Sequence, residues 1–350
     1  MKVLITGGAG FIGSNLAKRL WREKHEIFIV DDVKDGRKLK NLKGLNYNFS
    51  FMDEFWQDPK KIITEQRIEF VFHLGAISST SFMDGNVLLK NNVDYSIDLI
   101  EACVDVGIPI HFASSASIFG NLQANGGTVS AHTTDPLNPY AYSKALVDEH
   151  IKSLESRQTG DYPNPDIVSF RYFNVYGLGE DHKDGQSSPI LKFYNEARET
   201  GEISVFDIES SRDFVNIYDV VAAHIEDLNN FETFRKHNTG TRNSIKFLDV
   251  GTACPLSFIQ VAEIVADFIE RQTKEKIRIK IVPFPKSLKN NYQFYTRASN
   301  SILYEPLTER ESAMHIRKYL DRLLDRDEEM KKLLVPLQKN ESYTRKKSLI

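Results

Sequence analysis

The sequence predicts an α/β fold in which a doubly wound parallel sheet carries helices on both faces. In the first half of the chain, short apolar runs alternate with longer segments whose apolar residues recur at helical spacing. Strands that alternate with helices in this way form βαβ units and a parallel sheet. A glycine-rich turn separates the first apolar run from the first helical segment. The chain has 350 residues, enough for this sheet and a second, smaller unit.

The composition is that of a folded globular protein, with 41% hydrophobic and 27% charged residues. Lys and Arg number 45 against 48 Asp and Glu, for a net charge of −3. Nucleic acid is therefore not an expected partner. Cys103 and Cys254 are the only cysteines, too few for a disulfide framework or a zinc cluster, and they fit a reducing cytoplasm. The chain has no apolar run of about 18 residues, so no membrane span is predicted.

Six strands of the sheet, with the helices between them, are predicted in the first half of the chain. The apolar runs are short, as in strands buried on both faces of a parallel sheet. The predicted strands are Val3–Ile5, Glu26–Val30, Tyr47–Phe51, Ile68–Leu74, Ile108–Ala113 and Ile167–Arg171. The predicted helices are Phe11–Trp21, Val87–Val106 and Tyr140–Leu154.

The second half is less regular and predicts a smaller, interleaved C-terminal α/β substrate domain. Its elements are a long loop over Tyr172–Ser188, a helix over Pro189–Thr200, short strands near Val205 and Phe214, a helix from Asp219, a sheet strand over Phe247–Val250 and a last amphipathic helix around Ile316–Leu324. We expect a cofactor-binding domain of residues 1–171 plus about 213–251, a substrate-binding domain of about 172–212 plus 252–337, and a polar, flexible tail of 338–350.

The glycine-rich turn indicates a dinucleotide site. Gly7, Gly10 and Gly13 are spaced three apart, and with Gly8 the segment also satisfies GxGxxG. Glycines allow a tight turn, a close approach of the backbone to a pyrophosphate, and packing of the helix on the sheet. The free N–H groups at the helix start favour phosphate. With a strand before it and a helix after it, the turn predicts a Rossmann-type cofactor domain.

The residues after the second strand bear on which nicotinamide cofactor is used. Asp31 lies 18 positions past Gly13, where a carboxylate binds the adenosine ribose and favours NAD. Arg37 and Lys38 follow it and can reach a 2′-phosphate, offsetting the repulsion from Asp31. We expect NADP, with NAD as the alternative.

A Tyr-Lys pair and a serine indicate redox chemistry on a carbinol. Tyr140 and Lys144 lie one helical turn apart, and a lysine beside a phenol lowers its pKa so that the phenolate acts as a base. Ser115 follows the fifth strand, at the edge of the sheet where ligands bind. It is placed to bind the same substrate oxygen as Tyr140. Tyr142 has no lysine four positions later and is not expected to act.

These motifs together resemble the extended short-chain dehydrogenases/reductases that act on nucleotide sugars. The segments in common are TGGAGFIG at 6–13, HLGA at 73–76, the serines at 114–117, Tyr140 with Lys144, and RYFNVYG at 171–177. The resemblance extends from residue 1 to about 326. Within the family the chain is most similar to the branch that epimerises ADP-linked heptoses. The discriminating features are His182-Lys183 after RYFNVYG, and Phe284-Pro285 with Tyr292-Gln293.

The resemblance implies epimerisation at C6″ of an ADP-glycero-manno-heptose, which would supply heptose for the lipopolysaccharide core. C6″ would be oxidised to a ketone with NADP that stays bound, and reduced again from its other face. Tyr140 and Lys183 would be the two acid/base groups, because the oxygen moves between the two steps and each position needs a proton carrier within hydrogen-bond reach. Ser115 would support Tyr140, and Lys144 would also hold the nicotinamide ribose. We expect a small-molecule ADP-sugar as ligand, no metal, and a homo-oligomer.

Further site residues are carried over from the family by position. The residues implied for cofactor binding are Gly7, Gly10, Phe11, Ile12, Gly13, Asp31, Asp32, Lys38, Leu74, Gly75, Ala76, Ile77, Ser78, Asn91, Lys144 and Val175. The residues implied for substrate binding are Ser115, Asn174, Lys183, Gly185, Lys192, Phe206, Arg212 and Tyr292. Arg212 suits a diphosphate, because its guanidinium binds two oxygens at once.

The chain also departs from the family pattern. The segment 206–211 before Arg212 is shorter than the family's loop that contacts the nucleotide, and Asp184-Gly185 replaces a Gly-Ser pair after the lysine. Two alternatives therefore stay open: another nucleotide-sugar epimerase, such as a UDP-hexose 4-epimerase, and a non-catalytic NAD(P)-binding sensor. His182-Lys183 argues against the first. The retention of both Tyr140 and Lys144 argues against the second.

Overall fold

A seven-stranded parallel sheet dominates the computed structural model, which describes residues 1–122, 133–157, 165–237, 244–299, 302 and 305–340. The strands are β1 (Lys2–Thr6), β2 (Glu26–Asp31), β3 (Asn48–Phe51), β4 (Phe70–His73), β5 (Ile110–Ser115), β6 (Ile167–Tyr172), β7 (Asn174–Tyr176), β8 (Glu202–Phe206), β9 (Ser211–Asn216), β10 (Ile245–Val250), β11 (Pro255–Ser257) and β12 (Arg278–Val282). The large sheet has the order β10-β6-β5-β4-β1-β2-β3, and every neighbouring pair in it is parallel.

Helices cover both faces of this sheet. The helices of the described chain are α1 (Phe11–Arg22), α2 (Met52–Phe55), α3 (Pro59–Glu65), α4 (Gly85–Leu88), α5 (Tyr95–Val106), α6 (Pro139–Ser153), α7 (Pro189–Thr200), α8 (Ile217–His237), α9 (Phe258–Thr273) and α10 (Glu309–Asn340), of which α7, α9 and α10 pack away from this sheet. One apolar core joins α1 and α8 to the sheet, and another joins α3, α5 and α6 to its opposite face. The predicted doubly wound fold is confirmed.

The order of the strands determines where a ligand can bind. Strand order runs outward from β1 in both directions, through β2 on one side and β4 on the other. In open parallel sheets, ligands bind beyond the carboxyl ends of the strands at such a reversal. The glycine turn follows β1, and the segment 74–78 follows β4. Both therefore lie at this switch point.

Besides the two cores on the faces of the large sheet, a further hydrophobic core lies outside that sheet. It is formed by α7, α9, α10 and the neighbouring strand β8, with Tyr194, Leu256 and Leu320 among its buried residues. Two small sheets accompany it, β11-β9-β7 and β12-β8. The domain boundaries proposed from the sequence stay a prediction, although β10 joins the large sheet as expected.

Several predicted elements differ from the structure. The loop expected over Tyr172–Ser188 contains the short strand β7 and a 3₁₀ turn over Asp181–Gln186, because β7 pairs with distant β9 and has no apolar run of its own. The long helix expected from Val87 is interrupted by a π-helical segment, Leu89–Asp94. Strand β5 continues through Ser115.

The C-terminal end also differs from expectation. The last helix, α10, continues through Asn340 and so includes the first residues of the tail predicted over 338–350. The rest of that tail, 341–350, lies outside the described residues. Within the described part of the chain, no helix is long and apolar enough to cross a membrane.

Candidate active site

A cavity of about 770 Å³ opens at the carboxyl ends of the strands. It is lined from both halves of the chain, and most of the residues predicted for the substrate and the nicotinamide meet there. The predicted residues in its wall are Phe11, Ile12, Ser78, Ser115, Tyr140, Asn174, Val175, Lys183, Gly185, Lys192, Phe206, Arg212 and Tyr292. The other predicted cofactor residues lie on the glycine turn, at the end of β2, after β4 and on α6.

The glycine turn after β1 is packed too closely for side chains. A Cβ atom on Gly7 would lie 2.7 Å from the backbone of Gly75, and one on Gly13 would overlap the carbonyl of Gly7. Gly7 also has a φ of +67°, which glycine adopts without strain. Gly10 caps α1 without a side chain, so the first N–H groups of the helix face outward toward a ligand. This glycine turn, which has no side chains over the start of α1, fits the pyrophosphate of a dinucleotide.

The acidic residue at the end of β2 is bound by the protein itself. One oxygen of Asp31 accepts a hydrogen bond from the backbone N–H of Ala9 at 2.7 Å, and the other pairs with Lys38 Nζ at 3.0 Å. Lys38 also donates to the carbonyl of Asp32. Asp31 therefore holds the glycine turn in place, and Lys38 offsets its charge. Arg37 is held by two carboxylates, those of Asp35 and Asp184.

The segment after β4 is fixed by an asparagine that the sequence analysis did not select. The side chain of Asn92 bonds to both the N–H and the carbonyl of Ile77, each at 2.9 Å. The neighbouring Asn91, which is predicted to bind the cofactor, donates to the carbonyl of Val87, and its role toward the cofactor stays a prediction. Asn92 holds this position because the wider turns of the π-helical segment 89–94 shift which residue faces the sheet. No periodicity in the sequence signals such a shift.

Tyr140 occupies the first turn of α6, in the wall of the cavity. Asn138 caps the helix through the N–H of Ala141, and Pro139 begins it, so the start of α6 is well defined. Ser115 accepts a hydrogen bond from the N–H of Ser117, and its hydroxyl lies beside Tyr140. Burial raises the pKa of Tyr140, and the neighbouring Ser115 hydroxyl opposes the rise. Tyr142 is 56% exposed, as expected for a residue outside the site.

Lys144 lies below the cavity wall and is buried. Its ammonium group is 4.7 Å from the ring centre of Phe112, and burial lowers its pKa to about 7, against the opposing field of Asp148. Asp148 is already paired with Arg171 at 2.9 Å. The expectation that Lys144 lowers the pKa of Tyr140 is not met by the protein alone, because burial dominates both groups.

Lys183 lies on the 3₁₀ turn 181–186, across the cavity from α6. Its Nζ is 5.5 Å from the ring centre of Phe11 at the start of α1, so the 3₁₀ turn folds back over the glycine turn. Burial lowers the pKa of Lys183, and the field of Glu180 opposes this. A lysine with a lowered pKa exchanges its proton at lower pH than an ordinary lysine does. The catalytic role of Lys183 stays a prediction.

A buried glutamate shapes the turn that carries Lys183. The Glu180 carboxylate accepts hydrogen bonds from the N–H groups of Gly177 and Ser188 and from the hydroxyls of Ser188 and Tyr319. It therefore ties both ends of this turn to α10. Sequence reasoning did not select Glu180, because a lone acid in a polar segment gives no sign of burial.

The same turn is tied to the other side of the cleft. Arg37 forms a two-pronged ion pair with Asp184, and Asn41 donates to the carbonyl of Gly179 at 3.3 Å. Asp184 has a φ of +46°, a region that glycine adopts more readily. The family has glycine at this position, so the substitution noted in the sequence adds both strain and a carboxylate for Arg37.

The substrate side of the cavity is aromatic and carries a buried arginine. The Arg212 guanidinium lies 5.0 Å from the ring centre of Tyr292 and 5.7 Å from that of Phe258. Burial lowers its pKa to about 10. Within the described part of the chain it has no carboxylate partner, and its recorded bonds go to Tyr292 and to the backbone of Ser211. A buried, unpaired guanidinium facing a cavity fits an anionic ligand.

The predicted pairs Phe284-Pro285 and Tyr292-Gln293 connect the cavity wall around Arg212 to the wall that carries Ser115. Phe206, Phe284 and Tyr292 form a row of edge-on rings with centres 5.6 and 5.0 Å apart, a surface suited to a nucleobase. Gln293 donates to the carbonyls of Ala116 and Gly120, next to Ser115. Lys192 also lies in the wall, and burial lowers its pKa. No metal-binding cluster of acidic, histidine or cysteine side chains occurs among the described residues.

Comparison with known proteins identifies the family. The NAD dependent epimerase/dehydratase family matches residues 3–240. The chain belongs to this family. Its members include relatives named ADP-L-glycero-D-manno-heptose-6-epimerase, from Brachyspira hyodysenteriae (32% identical, covering 85% of this chain and 88% of the relative) and Alkalilimnicola ehrlichii (33% identical, covering 92% and 98%). The chain is thus an epimerase of this family, and hence an isomerase.

Solved structures of the NAD dependent epimerase/dehydratase family share the fold. The Helicobacter pylori ADP-L-glycero-D-manno-heptose-6-epimerase is 26% identical, with a TM-score of 0.73 and coverage of 92% of this chain and 95% of that one. A Thermus thermophilus UDP-glucose 4-epimerase in complex with NAD is 24% identical, with a TM-score of 0.70 and coverage of 92% and 98%. A nicotinamide nucleotide is the cofactor of this epimerase, and a nucleotide sugar is its substrate class.

Proposed function

We propose that this epimerase inverts C6″ of an ADP-glycero-manno-heptose, by transient oxidation to a 6″-ketone and re-reduction, and so supplies heptose for the lipopolysaccharide core. The observation that carries the proposal is the presence of two proton carriers, Tyr140 and Lys183, in the wall of one cavity beside the glycine turn. The names of the relatives support the substrate. The proposed compartment is the cytoplasm, and the proposed assembly is a homo-oligomer.

In the proposed mechanism, one residue on each side of the cavity transfers one proton in each turnover. The glycine turn after β1 and Lys144 would hold a nicotinamide nucleotide, which would supply reversible hydride transfer at the substrate carbon. Tyr140, with the Ser115 hydroxyl beside it, takes the hydroxyl proton of one epimer as the phenolate. Lys183 gives a proton to the oxygen of the other epimer as the ammonium form. In the reverse direction the two residues exchange roles, as proton transfer at the two oxygen positions requires.

The substrate must turn while its nucleotide stays bound. Arg212 is placed to hold the diphosphate, and the aromatic row of Phe206, Phe284 and Tyr292 to hold the base. The sugar then lies toward Tyr140 and Lys183 and can present either face. A cavity of about 770 Å³ leaves room for this rotation.

The proposed cofactor is NADP. Each oxygen of Asp31 already contacts one protein donor, and its side chain is only 3% exposed, which limits its access to the ribose hydroxyls that would select NAD. Lys38 is partly exposed beside them and can bind a 2′-phosphate. We expect nucleotide released by denaturing the purified protein to carry the mass of NADP. The Lys38→Ala variant should retain less NADP, whereas Lys40→Ala, on the same turn and exposed, should retain as much as wild type. Release of NAD alone would contradict the preference.

The second prediction concerns the contribution of Arg212 to the affinity for the ADP-sugar substrate. The Arg212→Gln change removes the buried guanidinium, and we expect KM for the ADP-sugar to rise by about tenfold or more while kcat falls less, since the lost contact is made before and during reaction alike. The KM of Arg212→Lys should lie between those of wild type and Arg212→Gln, because an ammonium keeps the positive charge but cannot bind two oxygens at once. The exposed Arg310→Gln is the matched control. An unchanged KM in Arg212→Gln would remove this residue from the substrate site.

The decisive experiment supplies ADP-D-glycero-D-manno-heptose to the purified protein without added cofactor and follows the C6″ epimer by NMR. We expect conversion toward an equilibrium mixture. A parallel reaction with UDP-glucose tests the alternative 4-epimerase. Turnover of UDP-glucose alone would refute the proposed substrate. A protein that holds nucleotide but converts neither sugar would favour the non-catalytic sensor.

A further inference from the structure

A line of buried polar side chains leads away from the active-site cavity through the core. It consists of Tyr172, His224, His111, Asp227 and Lys246, which we call the histidine array. The Tyr172 hydroxyl lies 2.5 Å from His224 Nε2, and the Nδ1 atoms of His224 and His111 are 2.9 Å apart. His111 Nε2 lies 3.0 Å from Asp227, which also pairs with Lys246 at 3.2 Å. The mechanism above uses none of these groups.

The two ends of the histidine array lie in different environments. Tyr172 lines the cavity, at the carboxyl end of β6. Both histidines are buried, at 0 and 1% exposure, on the α8 face of the sheet. Lys246 on β10 is 30% exposed at its side chain. The array therefore joins the cavity to the protein surface through otherwise apolar and aromatic surroundings, which include Phe70, Phe72 and Phe170.

The directions of its hydrogen bonds follow from the carboxylate. Asp227 only accepts, so His111 donates from Nε2 and, as a neutral ring, accepts at Nδ1. His224 must then donate from Nδ1 and accept at Nε2, where the Tyr172 hydroxyl donates. Burial lowers the pKa of both rings, in keeping with two neutral imidazoles. Every proton in the array thus points from Tyr172 toward Asp227.

This orientation allows one extra proton to pass. A proton that arrives on the Tyr172 oxygen releases the original hydroxyl proton to His224 Nε2, and the Nδ1 proton of His224 moves to His111. His111 is then an imidazolium beside the Asp227 carboxylate. Its Nε2 proton passes to that carboxylate and from there to solvent next to Lys246. Each imidazole then holds its proton on the opposite nitrogen, so both rings must turn over to restore the starting orientation before the next proton passes. No bond other than O–H and N–H changes, and solvent is the only proton source or sink.

The proposed two-base reaction requires both proton carriers to be reset between turnovers. After one turnover, the group that took the hydroxyl proton holds one proton more, and the group that gave a proton holds one fewer. Another turnover in the same direction requires the first group to lose its proton and the second to regain one. Lys183 lies on a turn at the mouth of the cavity, but Tyr140 is only 9% exposed.

Tyr172 borders the part of the cavity that holds Tyr140 and Ser115. Its strand partner in the sheet is Ser115, the residue whose hydroxyl lies beside Tyr140. The charge on the Tyr140 phenolate contributes to raising the pKa of Tyr172, after burial. Both residues line the same cavity, where one water molecule can carry a proton between their hydroxyls.

We propose that the histidine array relays protons between Tyr140 and the surface at Lys246 and so resets Tyr140 after each turnover. The proposal rests on the proposed two-base epimerisation. His111, His224 and Asp227 act through Tyr172 and are positioning residues for proton flow rather than groups that touch the substrate.

The test separates the first turnover from later ones. Two variants interrupt the array with little change of shape: Tyr172→Phe, which removes only the hydroxyl, and His111→Phe, which places a ring among the surrounding phenylalanines. Rapid-quench measurement with ADP-D-glycero-D-manno-heptose should give one equivalent of epimer per site at the wild-type rate, followed by steady turnover lowered by about tenfold or more. The double variant should be no slower than either single variant, because they interrupt one path.

The experiment has one matched control variant and three possible results that would contradict the relay or the proposed function. His315→Phe replaces a partly exposed histidine on α10 and should leave both phases at wild-type rates. Unchanged steady turnover in both array variants would overturn the relay. A first turnover that slows in proportion to the steady rate would also overturn it, because that is the signature of a purely structural role. Wild-type protein that fails to epimerise the sugar at all would instead overturn the proposed function, and the relay with it.

Discussion

The Tyr140→Phe variant is expected to lose nearly all epimerase activity while keeping its fold and its bound nucleotide. The change removes only the phenolic O–H, and the ring that packs at the start of α6 remains. Loss of a positioned acid/base group costs roughly 10²–10⁴-fold in rate. The measurement is the initial rate with each C6″ epimer in turn. Thermal unfolding and the nucleotide released on denaturation would be recorded alongside.

Tyr142→Phe is the matched control for this experiment. It makes the same chemical change two residues along the same helix, on a side chain that points into solvent. We expect its rate and its unfolding temperature to equal those of wild type. If Tyr140→Phe kept more than about a tenth of the wild-type rate, Tyr140 would not be a proton carrier, because this lies outside the range for such groups.

Lys183→Met should give the second large loss, with a different dependence on the epimer. The thioether side chain keeps most of the stem against Phe11 but cannot bind or release a proton. Since Tyr140 and Lys183 each serve one oxygen position, half of the reaction should survive. Single-turnover oxidation of the epimer that uses Tyr140 should proceed, with reduced nicotinamide accumulating at 340 nm, while full epimerisation falls roughly 10²–10⁴-fold.

Lys152→Met provides the comparison for Lys183, because Lys152 is an exposed lysine near the end of α6. It should behave as wild type in both half-reactions. Equal rates for wild type and Lys183→Met in both directions would assign the second proton carrier elsewhere. His182 would then be the first candidate, since it adjoins Lys183 and its ring lies 3.4 Å from Asn41.

Much of the fold followed from local patterns in the sequence. The apolar runs that became β1, β2, β4 and β6 are buried on both faces of the sheet, and such runs are visible without any knowledge of their partners. The strands that were missed, β7, β11 and β12, are short or partly exposed and depend on pairing with distant strands. Residue periodicity carries no information about such pairings.

The residues of the candidate site also fall into two groups: those that could be predicted from the sequence and those that only the fold brings together. Tyr140 and Ser115 were predicted from residue type and position, Lys183 and Arg212 from the resemblance to the family, and all four line one cavity. Asn92 was missed because the π-helical segment shifts the helix face by one residue. His111 and His224 were missed because they are 113 positions apart, and their contact exists only once α8 packs on β5. Chemistry that depends on side chains brought together by the fold cannot be seen in spacing along the chain.

The ion pair between Arg37 and Asp184 has a consequence for the lifetime of the bound cofactor. It spans the mouth of the cleft, from the turn beside the adenosine end to the turn that carries Lys183. We expect a dinucleotide held beneath both turns to leave only when they separate, and their separation to withdraw Lys183 from the cavity. Coenzyme escape and loss of the proposed second base would then be a single event. Because both side chains are exposed, added salt weakens the tie, so ionic strength should shorten coenzyme retention and silence catalysis in parallel.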